Sequence, residues 1–152
     1  MMFDADLEIA PEKVIPIVVG VHLRAEIGDR LRGESLKKAI TNWKKGYQLS
    51  ESPWPLVCTD MWYLNQAELR IQPTVCIGSP EVNAATTAIS SRLSTVILKD
   101  EEYRIQADPS YVDLKCCMWG TNEHHSDTCL DVFISKIMPL WLGAFFGFTV
   151  EN

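Results

Sequence analysis

Short runs of apolar, often β-branched residues recur along the chain and are separated by longer segments of mixed character. The runs VIPIVVGV, PLVCT and TVCIG, at 14–21, 55–59 and 74–78, are typical of strands that are buried on both faces of a sheet. Between them, apolar side chains recur at helical spacing. Strands that alternate with helices in this way predict a parallel sheet with helices packed on it.

Segments with apolar residues at helical spacing predict amphipathic helices between and after these strands. The first covers residues 36–47, with Ser35 as its N-cap. The last begins near Asp127, and we expect Ser126 or Asp127 to cap it. Pro139 should kink this helix or split it in two, because proline interrupts the helical hydrogen-bond ladder.

The second half of the chain predicts three further strands. TVILK and YRIQA, at 95–99 and 103–107, flank a short polar turn and are typical of a hairpin. In VDLKCCMW, at 112–119, apolar and polar residues alternate, which predicts a strand with one face in water. The direction of the chain reverses twice before this strand, so we expect it to run parallel to the first three.

Together these elements predict one α/β domain over residues 1–152. Its architecture would be a three-layer α/β/α sandwich with a mostly parallel sheet of about six strands and an antiparallel portion at one edge. The alternation of strands and helices, with a Gly-Ser-Pro turn after the third strand, resembles flavodoxin-like or Rossmann-like folds. This resemblance concerns architecture and carries no function.

Four polar loops leave the carboxyl ends of the predicted parallel strands, which is where open α/β sheets bind ligands. They are HLRAEIGDR, TDMW, GSPEVN and GTNEHHSDT. We expect them to line a pocket for a polar small molecule that resembles a nucleotide or a sugar. The candidate ligand-binding residues are His22, Arg24, Gly78, Ser79, Asn83, Gly120, Asn122 and Asp127.

Three of the loop residues could act as general acids or bases, namely Asp60, His124 and His125. With Arg24 to hold an anionic group, they would suit a hydrolase or a transferase. Two other interpretations stay open, since Asp60 could cap a helix and loop histidines often have no role.

The GSPEVN turn predicts the start of a helix over 82–93, with Ser79 as the N-cap and Pro80 at the first helical position. Glu81 would complement the positive end of the helix dipole and repel a phosphate. The turn matches neither a P-loop nor the G-x-G-x-x-G pattern. We therefore interpret it as one wall of a site, in which Asn83 faces the ligand or makes a local hydrogen bond.

The sequence predicts no metal site. His125 and Cys129 could be imagined as zinc ligands, but C-x-x-C and H-E-x-x-H patterns are absent. A weaker alternative is a divalent cation held by oxygen ligands, for which the candidates are Asp60, Glu81, Asn83 and Asp127.

The composition limits the partners and the compartment. A net charge of −6 and a pI near 5.0 argue against nucleic acid, whose phosphates require a basic surface. Five cysteines scattered through apolar runs are not typical of a disulfide framework. An acidic N-terminus without a signal-peptide pattern agrees with a cytoplasmic protein.

The C-terminal run IMPLWLGAFFGFTV, at 137–150, is more apolar than one helix of a small domain requires. A helix needs about 18 apolar residues to span a bilayer, so we expect a core or interface helix and no membrane anchor. An apolar face of this kind commonly packs in a homodimer. The alternative function is therefore a non-enzymatic interaction or assembly module that forms a homo-oligomer through this helix.

Overall fold

A single mixed sheet of six strands forms the centre of the fold in the computed structural model, which describes residues 10–147 except the side chains of Arg24 and Glu26. The strands are β1 (Val14–Val19), β2 (Trp54–Thr59), β3 (Thr74–Ile77), β4 (Ser94–Lys99), β5 (Tyr103–Ala107) and β6 (Lys115–Gly120). Their order across the sheet is β2-β1-β3-β6-β5-β4.

The strands β2, β1, β3 and β6 run parallel, whereas β5 is antiparallel to β6 and β4 is antiparallel to β5. The predicted α/β sandwich with an antiparallel edge is thus confirmed, as is the direction of the last strand. The β2-β1-β3 order occurs in flavodoxin-like sheets, but here β6 takes the next place. A flavodoxin-like or Rossmann-like assignment stays a prediction.

Helices cover both faces of the sheet. They are α1 (Leu23–Glu26), α2 (Gly28–Gly46), α3 (Asp60–Leu64), α4 (Ala84–Ile89), α5 (Glu123–Val132) and α6 (Met138–Phe146). The first face carries Ile17 and Cys116 and packs against α2, α5 and α6. The second face carries Val18 and Cys117 and packs against α3 and α4. Because successive strand side chains point to opposite faces, each apolar run supplies both cores.

Three predicted helix starts are wrong. α2 begins at Gly28, so Ser35 lies inside it and most of the supposed polar loop before it is helical. Asn83, rather than Ser79, caps α4, and the residues before it form a turn. Asn122 caps α5 by accepting a hydrogen bond from the N–H of His125, so neither Ser126 nor Asp127 is the cap. Several side chains near each start can cap a helix, and only the backbone conformation selects one.

The expected one-sided exposure of the last strand is also wrong. The strand begins at Lys115 rather than at Val112, because the carboxylate of Asp108 accepts hydrogen bonds from the N–H groups of Val112 and Asp113 and holds them in a turn. These bonds also lower the pKa of Asp108. From Lys115 to Met118 the strand is buried on both faces.

The C-terminal helix changes type immediately before Pro139. A π turn at Phe133–Ile137 joins α5 to α6, and Pro139 lies in the first turn of α6. Because proline has no N–H to donate to the carbonyl four residues earlier, the regular ladder cannot continue through this point. The predicted split is therefore present as a change of helix type within one continuous helix.

This continuous helix, Glu123–Phe146, has 24 residues and is long and apolar enough to cross a membrane by length and composition alone. It is longer than the apolar run suggested, because it begins at Glu123. Phe133, Trp141 and Leu142 are nevertheless fully buried against the first face. These three side chains are therefore part of the chain's own core.

The side chain of Asn83 joins the neighbouring strands β1 and β3 at their carboxyl ends. Its Nδ2 donates to the carbonyl oxygens of Val18 at 3.0 Å and of Ile77 at 2.9 Å. Its Oδ1 accepts from the N–H groups of Ala85 at 2.9 Å and of Thr86 at 3.3 Å, which caps α4. The residue is 1% exposed, so a lost bond would leave a buried polar group without a partner.

We expect Asn83→Ala to lower the free energy of unfolding by about 3 kcal/mol, the sum of a lost N-cap and two unpaired carbonyl groups. Asn83→Asp keeps the capping oxygen but places a second oxygen against the carbonyls of Val18 and Ile77. It should be as damaging at neutral pH and less so in acid, where the protonated carboxyl donates one hydrogen bond. Urea unfolding at about pH 7 and about pH 4 measures both effects.

Asn42→Ala and Asn42→Asp are matched controls, because Asn42 is exposed on α2. They should change stability by less than about 0.5 kcal/mol. A stability of Asn83→Asp equal to that of the wild type at neutral pH would show that the amide does not hold the strands together.

Candidate functional site

The carboxyl ends of β1 and β3 form a topological switch point, since α2 after β1 packs on the first face and α4 after β3 packs on the second. Open α/β sheets usually bind ligands in the crevice at such a point. Here the chain fills the crevice itself. The turn at 78–83 lies directly on Gly20, where a Cβ atom would overlap the carbonyl oxygen of Val82.

Asp60 braces the same edge. It is 3% exposed, and its Oδ1 accepts from the N–H groups of Val21 at 3.2 Å and of Met61 at 2.8 Å. Its Oδ2 accepts from the N–H of Ala84 at 2.8 Å. Thr59, rather than Asp60, caps α3. A catalytic role for Asp60 stays a prediction, and it would require one of these bonds to open.

Arg32 is the centre of a charged cluster that sequence reasoning missed. Its guanidinium binds the carboxylates of Asp29 at 2.7 Å, Glu123 at 2.9 Å and Asp127 at 2.9 Å. Gly78 lies against the carboxylate of Asp29, since a Cβ atom on Gly78 would be 3.0 Å from Asp29 Oδ2. Its φ of 119° also favours glycine at this position. The cluster ties the start of α2 to the start of α5 across the carboxyl edge.

Burial and pairing oppose each other in this cluster. Burial raises the pKa of Asp29 even though the hydrogen bond from Arg32 lowers it. Burial alone would lower the pKa of Arg32, but the three carboxylates outweigh this effect and raise it. Glu123 and Asp127 are largely exposed, so most of the stabilisation belongs to the buried Arg32–Asp29 pair.

The two histidines lie in the first turn of α5. Nδ1 of His125 is 2.9 Å from Oγ1 of Thr121, and its Nε2 is 3.8 Å from a carboxylate oxygen of Glu102. The ring of His124 is exposed, with its centroid 5.5 Å from that of His125. This group therefore faces the hairpin of β4 and β5, whereas Asp127 faces α2.

The other predicted residues share the carboxyl edge without completing a common site. His22 is exposed, Ser79 lies in the turn before α4, and Gly120 ends β6. The side chain of Arg24 lies outside the described residues. Asp60, Arg32 and His125 each bind a separate set of partners. Within residues 10–147, no hydrogen bond or ion pair links one of these sets to another. The ligand-binding and catalytic roles of these residues stay predictions.

A cavity of about 480 Å³ lies on the second face at the opposite edge of the sheet, near the amino ends of β3 and β6. Its volume is typical of small-molecule sites. Its walls include apolar side chains from α3, from the turns after α3 and from α4; these are Leu64, Ile71 and Ile89. Three basic side chains also line it, namely Arg70, Arg92 and Lys115.

Lys115 differs from the other two because it is buried, with 6% of its surface exposed. Among the residues that the structure describes, its ammonium group has no hydrogen-bond or ion-pair partner. Burial lowers the pKa of Lys115, the charge of Arg92 lowers it further, and Asp113 opposes both. Among the described residues only Oε1 of Gln106 is a buried side-chain polar atom without a partner, so Nζ of Lys115 still reaches solvent in the cavity. A lysine whose pKa is lowered and that lines a cleft is a candidate functional group.

Arg70 and Arg92 are exposed at the cavity. Nε of Arg92 contacts the carboxylate of Asp113 at 3.2 Å, and within the described chain its two terminal nitrogens bind no other side chain. The phenol of Tyr63 bonds to Thr74 at 3.0 Å, and burial raises its pKa to about 12, so it forms a neutral wall. The cavity is therefore a locally cationic place in an acidic protein.

No motif in the sequence indicated this cavity. Its three basic residues come from three separate segments, and Lys115 occupied a position that the alternating pattern assigned to solvent. The chain matches no protein-family model, no curated protein and no solved structure at a significant level. Among the described residues, no group of three His, Cys, Asp or Glu side chains is placed to hold a metal ion. Function is therefore inferred from the chemistry of the site.

We expect Lys115→Met to raise the free energy of unfolding at about pH 7 by about 1 kcal/mol, because it removes a charge that burial partly desolvates and replaces it with an apolar side chain. The folded-state pKa of Lys115 lies below the ordinary value of 10.5, so the unfolded chain holds its proton to higher pH. As the pH rises from the folded-state pKa to 10.5, the free energy of unfolding of the wild type should therefore increase. The difference in free energy of unfolding between the wild type and the variant should shrink over the same range.

Denaturant unfolding of both proteins from about pH 7 to about pH 10 measures this difference in free energy of unfolding. Lys37→Met is the matched control, because Lys37 is exposed on α2 and should show no such dependence. A variant that is less stable than the wild type at every pH would mean that the ammonium group is satisfied in the folded protein.

Proposed function

We propose that this chain binds a small organic anion with an apolar body in the cavity lined by Arg70, Arg92 and Lys115, hereafter the cationic cavity. The observation that carries the proposal is the position of Lys115, whose side chain is mostly buried and whose ammonium group lines an open cavity without a hydrogen-bond or ion-pair partner in the described chain. An anion would supply the partner that the fold omits, because buried charges are normally paired.

The charge distribution supports an anionic ligand. The chain carries a net charge of −6, yet three cations converge on one cavity and only Asp113 pairs with one of them within the described residues. A guanidinium fork binds a carboxylate or a phosphate through two parallel hydrogen bonds, which favours a planar acid group near Arg70 or Arg92. The apolar walls suit an aliphatic or aromatic body.

The proposed partner is still a polar small molecule, as the sequence predicts. The proposed site is the cationic cavity and not the carboxyl edge, because the turn at 78–83 fills the crevice at that edge. A hydrolase or transferase reaction at that edge stays a prediction. Its candidate acids and bases remain Asp60, His124 and His125. A cytoplasmic location also stays a prediction, and it is supported by five free cysteines, all of them buried.

Assembly through the C-terminal helix is the alternative. The structure gives Met138, Trp141 and Leu142 to the chain's own core and leaves Phe145 and Phe146 partly buried. Less apolar surface is thus free for a second copy than the sequence suggested. Homo-oligomerisation stays a prediction.

Phenyllactate, a carboxylate with an aromatic body, should bind the wild-type protein. Arg70→Gln and Arg92→Gln should each weaken this binding about tenfold, which is the effect of losing one charge-assisted hydrogen bond. Both side chains are exposed, so the variants should fold. Isothermal titration calorimetry measures the dissociation constants. The neutral amide of the same acid should bind the wild-type protein more weakly than phenyllactate binds either variant.

Arg30→Gln is the matched control, since it makes the same charge change at an exposed position on α2. It should leave the affinity unchanged. Equal weakening in all three variants would point to the overall charge of the protein, and absence of phenyllactate binding together with absence of binding by phenyl phosphate would refute an anion site.

A further inference from the structure

We propose that Lys115 is a nucleophilic lysine, whose Nζ condenses with the carbonyl carbon of an α-oxo acid held in the cationic cavity. This inference rests on the proposed function and narrows the ligand from any organic anion to one that carries a carbonyl group beside its carboxylate. Arg70 and Arg92 would bind the carboxylate, and the apolar walls would hold the body of the ligand.

A comparison with the other buried lysine shows what is unusual about Lys115. Lys44 is 0% exposed, and its ammonium group donates to the carbonyl oxygens of Glu51 and Pro53 and lies 3.6 Å from the ring centroid of Trp54. Its charge is thus held in place by the fold. Lys115 has no such contacts among the described residues, so its ammonium group lines the cavity without a fixed partner.

The environment of Lys115 raises the fraction of its neutral amine above that of an exposed lysine, and the neutral amine is the nucleophilic form. Burial and the charge of Arg92 lower its pKa, while Asp113 opposes them and Cys76 opposes them weakly. Lysines that are desolvated or placed beside another cation are the ones that form imines with carbonyl ligands. Lys115 meets both conditions, and the cavity gives a ligand access to it.

The reaction requires no oxidant or reductant. The lone pair of Nζ forms the new C–N bond, the carbonyl π electrons move to oxygen, and a proton passes from nitrogen to that oxygen to give a carbinolamine. Loss of the hydroxyl group and of the remaining N–H proton as one water molecule then leaves the imine. The carboxylate stays bound to the arginines and keeps the carbonyl carbon near the amine.

Phenylpyruvate with sodium cyanoborohydride tests the inference, because hydride reduces an imine to a stable secondary amine. Peptide mass spectrometry of the full chain at about pH 7 should find Lys115 modified about tenfold faster than Lys37 and Lys38, which are exposed on α2. Lys115→Arg should abolish the fast phase while the circular dichroism spectrum is unchanged. Arg92→Gln should slow it by weakening binding.

Phenyllactate separates this inference from the proposed function, since it has the same body and carboxylate but no carbonyl group. As a competitor it should suppress trapping at Lys115 and leave the exposed lysines unaffected. Binding of phenyllactate without preferential trapping would overturn the imine and leave the anion site standing. Fast trapping of Lys115 without phenyllactate binding, or without competition by it, would overturn the anion site and the bound reaction together.

Discussion

The amide of Asn83 is the contact on which the rest of the fold depends, because it fixes the neighbouring strands β1 and β3 and the start of α4 with four hydrogen bonds. Only an amide can meet two carbonyl oxygens and two N–H groups at once. The contact requires the turn at 78–83 to lie against Gly20, and Asp60 then bonds to the backbone on either side of it. The edge where such sheets usually bind ligands is closed as a consequence.

The opposite edge is open for a related reason. The first face is covered by α2, with 19 residues, and by a continuous C-terminal helix of 24 residues. Among the described residues, the α-helices on the second face are α3 and α4, with 5 and 6 residues. Two such short helices do not fill the space beside Lys115, which begins β6, and a cavity remains there. The cavity and its unpaired cation thus follow from the unequal coverage of the two faces.

The strands were predictable because their signal is local. A β-branched run such as that of Val14–Val19 can bury both of its faces only within a covered sheet. Helix starts were less predictable, since Ser79 and Asn83 are both good caps and the choice depends on which one reaches the free N–H groups. The alternation before Lys115 misled for a similar reason, because Asp108 removes Val112 and Asp113 from the strand.

The sequence by itself determined the class of fold, the direction of the strands and the residues that share the carboxyl edge, because periodicity and chain reversal are properties of neighbouring residues. Only the tertiary structure decided which polar groups are satisfied. Asp60 and Asn83 resemble ligand-binding residues in the sequence and become braces in the fold, while Lys115 resembles a solvated residue and becomes a buried cation. The physical reason is that burial and hydrogen bonding depend on segments distant along the chain, which no local pattern encodes.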